Sequence, residues 1–288
     1  MNIVSFGGGT NSTAMLIGLR NEGIKVDVIL FADPGSEMPE TYAHVKQIDE
    51  WLVKNNMPTI TVVRRMWKHD GEKTLYQECV ENSILPSIAY GGFKTCSINY
   101  KIKPQEKWCN NNDQCKEVWA NGEKVNRYIG YDYGEPQRRE HAKVYDIVNK
   151  KYKNHYPMVD DWEWDREDCK RIILAEGLQL PGKSSCFFCP NMRPVEVIDL
   201  KEFQPELYEE ALYMESSANL TKLKGLGRQW SWKELGETYD QLKTDELTKE
   251  ETIIMAKKLM KDKAKQINGQ TSLCDFMDEP NMPCGCYD

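Results

Sequence analysis

The apolar positions of this chain follow two rhythms. Near the N-terminus, short β-branched runs at 2–6 (NIVSF), 27–32 (DVILFA) and 59–64 (TITVVR) alternate with segments at 12–22 and 39–55. In the second of these segments Tyr42, Val45, Ile48 and Leu52 recur three and four residues apart. Apolar strands separated by amphipathic helices predict a parallel sheet wound with helices. A later apolar run, VNRYIGY at 125–131, is the expected further central strand. From about residue 165 the rhythm is helical, in 166–178, 193–203, 205–218 and 248–266, with Pro194 and Pro205 at helix starts. The polar stretch NNNDQ at 110–114, continued to about 124, reads as an exposed loop. The expected organisation is an α/β domain over 1–165 and a mostly helical C-terminal region over 166–288.

The turn between the first strand and the first helix carries the sharpest chemical signal. Gly7, Gly8 and Gly9 are followed by Thr10, Asn11, Ser12 and Thr13. Consecutive glycines between strand and helix let backbone come close to a ligand, and the helix N-terminus behind them favours an anion. A Walker loop is excluded because no lysine follows at the required spacing. Gly7 and Gly9 fit the first two positions of a dinucleotide fingerprint and Asp33 lies where its ribose-binding acid belongs, but Ser12 stands at the third glycine position. Ser12 and Thr13 would cap the helix or hydrogen-bond a phosphate.

Composition narrows the setting. The 288 residues are 40% hydrophobic, enough for a substantial core, and the net charge of -7 argues against bulk binding to nucleic acid. With no run of 18 apolar residues and no basic-then-apolar leader, the expectation is a cytoplasmic protein that does not enter membranes. Ten cysteines in such a protein call for a role other than a disulfide framework. Cys79, Cys109, Cys115 and Cys169 read as small, half-buried apolar residues. Cys186 and Cys189, two residues apart and followed by Pro190, have the spacing of two ligands to one metal or cluster corner, with zinc and iron–sulfur both open. Cys96, in KTCSINYKIKP, is the candidate third ligand, and Cys284 is preferred over Cys274 and Cys286 as the fourth. His44, His69, His141 and His155 are expected at the surface, and Trp230 and Trp232 are expected to pack the helical region. Arg64 and Arg65 end a strand where either substrate or solvent would meet them.

The glycine turn resembles the PP-loop, SGGxDS, of the ATP pyrophosphatase or adenine nucleotide alpha-hydrolase superfamily. Gly8, Gly9 and Ser12 match, Gly7 stands for the first serine, and Asn11 replaces the aspartate. Further stretches are similar to the PAPS reductase-like branch: ADPGSEMPETY at 32–42, KTCSINYKIKP at 94–104, GYDYGEPQRRE at 130–140 and YPMVDDWEWDREDCKRII at 156–173. That branch's reductases end in a Cys-Gly-x-His motif, and this chain ends in Cys284, Gly285, Cys286, Tyr287 and Asp288. SSCFFCPN at 184–191 is similar instead to the cysteine pair of the DNA phosphorothioation sulfurtransferases, where cysteines hold an iron–sulfur cluster.

The resemblance implies an α/β, HUP-like Rossmannoid fold: a parallel wound sheet carrying the PP-loop, followed by a mostly helical C-terminal part. It implies ATP with Mg2+, bound by Ser5, Gly7, Gly8, Gly9, Thr10, Asn11, Ser12, Thr13, Asp33, Gly130 and Arg138, with catalytic roles for Asn11, Ser12, Lys103 and Arg139. Lys101 joins Lys103, Arg138 and Arg139 as a candidate phosphate contact. A 4Fe-4S cluster, or zinc, would sit on Cys96, Cys186, Cys189 and Cys284. The implied activity is adenylation of an acceptor with release of pyrophosphate, ahead of sulfur or nitrogen transfer. Reduction of a sulfonucleotide and a non-catalytic nucleotide or redox sensor are the alternatives. Expected partners are an adenine nucleotide and an acceptor whose identity is open, and a homodimer is left open.

Overall fold

The computed structural model describes residues 1–67, 71–90 and 95–268. In chain order the strands are β1 (Asn2–Phe6), β2 (Val28–Ala32), β3 (Ile60–Val63), a short antiparallel pair β4 (Met66–Trp67) and β5 (Gly71–Glu72), then β6 (Val125–Ile129) and β7 (Tyr152–His155). The first helices are α1 (Thr10–Asn21), α2 (Pro39–Lys54) and α3 (Leu75–Glu81). A short turn of helix α4 (Thr95–Ser97) runs through a π-helical stretch into α5 (Lys103–Asn111) and α6 (Asp113–Ala120). There follow α7 (Pro136–Val148), α8 (Pro157–Asp160), α9 (Arg166–Ala175), α10 (Pro194–Phe203), α11 (Pro205–Ser217), α12 (Trp232–Leu242) and α13 (Lys249–Asn268).

β1, β2, β3, β6 and β7 form one parallel sheet in the order β3-β2-β1-β6-β7. The protein is thus α/β with a Rossmann-like parallel sheet. Alternation along β1 explains why both faces are covered: Val4 and Phe6 point into a cluster with Met15, Leu16 and Leu19 of α1, Ile48 and Leu52 of α2 and Ile173 of α9. On the other face Ile3 joins Leu30, Val63, Cys109, Cys115, Val125 and Tyr152. Strands buried on both faces need apolar residues at nearly every position, which is the pattern of VILFA in β2.

The chain packs as two units. Among the described residues, one comprises 1–74 with 97–186 and the other 75–96 with 187–268. The sequence rhythm places a boundary near residue 165, yet α9 lies on α1 in the first unit, because Cys169 and Ile173 share the core of the sheet. The second unit takes α3 from upstream, with Tyr76 against Phe187 and Phe188 at ring separations of 5.6 and 5.8 Å. Trp232, expected to pack, is fully buried there.

The stretch 110–124 departs from the expected loop. α5 runs into it to Asn111 and α6 fills 113–120, with Cys115 buried. The run of polar residues is a helix junction: Asn112 caps α6, its Oδ1 accepting from Cys115 N at 3.0 Å. The four cysteines read as half-buried, Cys79, Cys109, Cys115 and Cys169, are buried outright.

Candidate nucleotide-binding site

In an open wound sheet, ligands bind outside the carboxyl ends of the strands where the strand order reverses. Here that point lies between β1 and β6, neighbours in space that are separated in the chain by two strands of the sheet. The loop leaving β1 is Gly7, Gly8, Gly9, and the loop leaving β6 begins Gly130, Tyr131, Asp132.

The glycine loop is held by its own hydroxyls. Ser12 Oγ accepts from Gly7 N at 3.2 Å and donates to Gly9 O at 3.2 Å. Thr13 Oγ1 donates to Gly9 O at 2.8 Å and lies 2.9 Å from His44 Nε2. Since the threonine proton goes to Gly9, His44 must be the donor in that contact, which sets its neutral tautomer. Ser5 is buried in β1 and donates to Gln105 Oε1 at 2.8 Å. Gly9 is the N-cap of α1 and no side chain caps the helix. Thr10, Asn11, Ser12 and Thr13 are nonetheless all buried. A buried helix start without a capping side chain leaves N–H donors and the positive end of the dipole for an anion to meet.

Gly8 has a second reason to be glycine. Its φ is +77°, and a Cβ would stand 3.0 Å from Thr41 Cγ2 and 3.3 Å from Val45 Cγ2 of α2. A side chain there strains the fold itself, which is reason enough for glycine at this position.

Asn11 links the two loops. Its Nδ2 donates to Asp132 Oδ2 at 2.9 Å, and its Oδ1 accepts from Arg166 Nη1 at 2.7 Å. An acid on one side and a base on the other suit an amide. An aspartate in its place would set two carboxylates against each other at hydrogen-bond distance. A carboxylate from the loop after β6 thus stands against the Asn11 side chain.

The other expected contacts are engaged within the protein. Asp33, buried at the end of β2, accepts from Gly35 N and Tyr42 Oη at 2.7 Å each and from Arg64 Nε at 2.9 Å. It clips the β2–α2 turn, and Arg64 faces that acid. Lys101 is buried with its Nζ 3.0 Å from Glu37 Oε1, a charge pairing without hydrogen-bond alignment. Lys103 is exposed and bonds Asn99 Oδ1 at 2.8 Å. Arg138 Nη1 donates to both carboxylate oxygens of Glu135, at 2.8 and 3.0 Å, and the guanidinium covers the ring of Tyr131. Arg139 binds Asp160 through Nε at 2.9 Å and Nη2 at 2.8 Å, and stacks on Tyr156. Arg65 stacks on Trp67 and Tyr100.

His44 is 5% exposed, against the expected surface position, because Thr41, His44, Ile48 and Trp51 form the buried stripe of α2. Burial pushes its pKa down to about 4, partly opposed by a hydrogen bond to Gln47. His155 is half-buried and stacks on Tyr128 at 4.9 Å, whereas His141 is exposed. His69 lies outside the described residues.

Cys186 is brought beside the loop. Ser184 Oγ donates to Gly7 O at 2.7 Å, Ser185 O accepts from Met38 N at 2.9 Å, and Cys186 bridges Glu37 in antiparallel fashion. Ser185 Oγ is buried without a hydrogen-bond partner among the described residues. Cys186, Cys189 and Cys96 are partly exposed, and Cys96 N donates to Ser87 Oγ at 3.0 Å. Among the described residues no group of three or more His, Cys, Asp or Glu is gathered to hold a metal ion. Cys274, Cys284 and Cys286 lie outside the described residues.

Three residues of this site carry weak sequence signals. Asp132 and Arg166 lie in stretches similar to the family without being singled out there, and Ser184 is a neighbour of the cysteine pair. No helix among the described residues is long and apolar enough to cross a membrane. In comparison with known proteins, no family model matches the chain and no curated protein matches it significantly.

Proposed function

We propose that this chain is an ATP-using PP-loop enzyme that adenylates an acceptor and releases pyrophosphate. The observation that carries the reading is the buried, uncapped start of α1 behind Gly7, Gly8 and Gly9, placed where the strand order of the sheet reverses. The first N–H groups of the helix would hold the β- and γ-phosphates, leaving the α-phosphate open to attack by an acceptor oxygen. Asp132 is the carboxylate hydrogen-bonded to the loop and would hold Mg2+, which offsets phosphate charge when bound. Asn11 keeps that carboxylate in place without adding a second negative charge beside the phosphates.

The thiols fit less completely. Cys186 is tethered to the phosphate loop through Ser184, a placement suited to delivering or receiving sulfur next to an activated acceptor. The described residues do not gather a ligand set for a cluster, so no step is assigned to one. Sulfonucleotide reduction is the alternative on the same fold; it needs a nucleophilic cysteine and is distinguished by its product.

The test is product analysis. Full-length protein purified without oxygen, given ATP, Mg2+ and a cell extract as source of acceptor, is expected to release AMP and pyrophosphate in equal amounts. Given a sulfonucleotide and a thiol reductant, it is expected to release no sulfite. Sulfite release that is lost in a Cys284→Ser, Cys286→Ser double variant would replace this reading with the reductase. Nucleotide binding without AMP would replace it with the sensor.

A further inference from the structure

The reading above leaves one electrostatic question at the loop: which cation meets the phosphates. The basic residues that the sequence nominates are directed elsewhere. Lys101 faces Glu37, Arg138 is bonded to Glu135 through Nη1, Arg139 is bound to Asp160 and Asp146, and Lys103 bonds Asn99.

Arg166 differs from all of them. It opens α9, is exposed as a residue, and among the described residues its guanidinium has one hydrogen-bond partner, Asn11 Oδ1 at 2.7 Å. A guanidinium carries five N–H donors in a rigid fork, so one bond fixes its position and leaves the others to bind. Asn11 is the second residue of α1, so the charge stands beside the first turn of that helix. Asp132, holding the other end of the same amide at 2.9 Å, keeps the Asn11 side chain from rotating. Arg166 and Asp132 thus flank one amide beside the positive end of the α1 dipole, and the guanidinium N–H groups not bonded to Asn11 can meet an anion held there.

We propose that Arg166 is the residue that holds a terminal phosphate of the nucleotide, positioned by Asn11 and, through it, by Asp132. The proposal rests on the PP-loop reading and adds a residue to it. The ligand class is a polyphosphate or pyrophosphate ester, recognised by a fork of N–H donors from α9 and backbone N–H groups from α1. The nucleoside itself makes no demand on Arg166.

The experiment is calorimetric titration of the full chain with ATP, with inorganic pyrophosphate and with adenosine, each in the presence of Mg2+, for wild type, Arg166→Gln and Arg166→Lys. Arg166→Gln is expected to weaken ATP and pyrophosphate at least about tenfold while adenosine binding stays unchanged. Arg166→Lys, which keeps the charge and loses the fork, is expected to fall between. Pyrophosphate bound equally well by wild type and Arg166→Gln overturns the proposal while leaving the PP-loop reading intact. Equal weakening of adenosine and pyrophosphate, with a lowered melting temperature, overturns it in favour of Arg166 as a brace on Asn11. A wild type that binds neither ATP nor pyrophosphate removes the reading and the proposal together.

Discussion

Helices α1 and α12 start in opposite ways. At α12 the protein supplies its own anion: Ser231 Oγ caps Glu234 N at 2.9 Å, and the buried Glu215 carboxylate accepts from Trp232 N at 2.9 Å, Lys233 N at 3.2 Å and Leu226 N at 2.7 Å. Burial pushes the pKa of Glu215 up and these N–H groups pull it back. At α1 the N-cap is Gly9, no side chain caps the helix, and the nearest hydroxyls, Ser12 and Thr13, spend their protons on Gly9 O. One helix start is met by a side-chain carboxylate; the other is buried with no side chain capping it. Under the proposed function, that difference is what lets an anion act at α1.

Breaking the sealed end is expected to have the largest effect. Glu215→Ala leaves the buried N–H groups of Leu226 and Trp232, and the partly buried one of Lys233, without an acceptor, a loss of about 3 to 5 kcal/mol in unfolding free energy. Gly225 belongs to the same arrangement, since a Cβ there would lie 2.2 Å from Glu215 Oε2. Urea titration followed by tryptophan fluorescence measures the effect. A loss under about 1 kcal/mol would mean that water reaches those N–H groups, and the contrast with α1 would lapse.

The next effect belongs to the open end. His44 donates to Thr13, and its folded pKa near 4 lies below the ordinary 6.5. Between these values the unfolded chain binds a proton that the folded chain does not. The contribution is complete above pH 6.5 and is lost as pH falls to 4, amounting to about 3 kcal/mol. The check is the stability difference between wild type and His44→Gln across that window, since Gln can still donate to Thr13. Parallel curves for the two proteins would place the acid sensitivity elsewhere.

A bound anion should then act on one helix start alone. With pyrophosphate and Mg2+ at about 100 times the dissociation constant, the gain in stability is about 2.7 kcal/mol. Hydrogen exchange is expected to slow at the amides of Thr10, Asn11 and Ser12 beyond the change seen at Trp232 and Lys233. Equal slowing at both places would assign the effect to global stabilisation.

How much of this was legible in the chain depends on the range of the interaction. The strands and the glycine turn are local, and β-branched runs such as VILFA announce strands buried on both faces. Asn112 was misleading because a helix cap and a loop use the same polar residues, and only the buried Cys115 beyond it tells them apart. His44 was readable in principle from the spacing of Thr41, His44, Ile48 and Trp51: the apolar stripe of Val45, Ile48 and Leu52 does face the core and His44 lies beside it, whereas Tyr42 at its edge is 37% exposed. The loop's partners were not readable, since Asp132 and Arg166 reach Asn11 across 121 and 155 residues of chain. Their identity as partners depends on the strand order, which no local pattern encodes.

The smallest predicted effect tests whether a single hydroxyl contributes to the seal at α12. Ser231→Ala removes the bond to Glu234 N while leaving Glu215 on the Trp232 and Lys233 amides, so the expected loss is about 1 kcal/mol. Ser231→Gly should cost only a few tenths, roughly, because glycine tolerates the cap conformation and lets water in. The ordering of Ala below Gly is the informative part, because it is the signature of a cap and not of lost packing. Both variants are expected to bind pyrophosphate as wild type does, since the hydroxyl serves a helix start that already has its anion. If Ser231→Ala were neutral, Glu215 alone would satisfy the first turn of α12, and the contrast with α1 would come down to the presence or absence of one buried carboxylate.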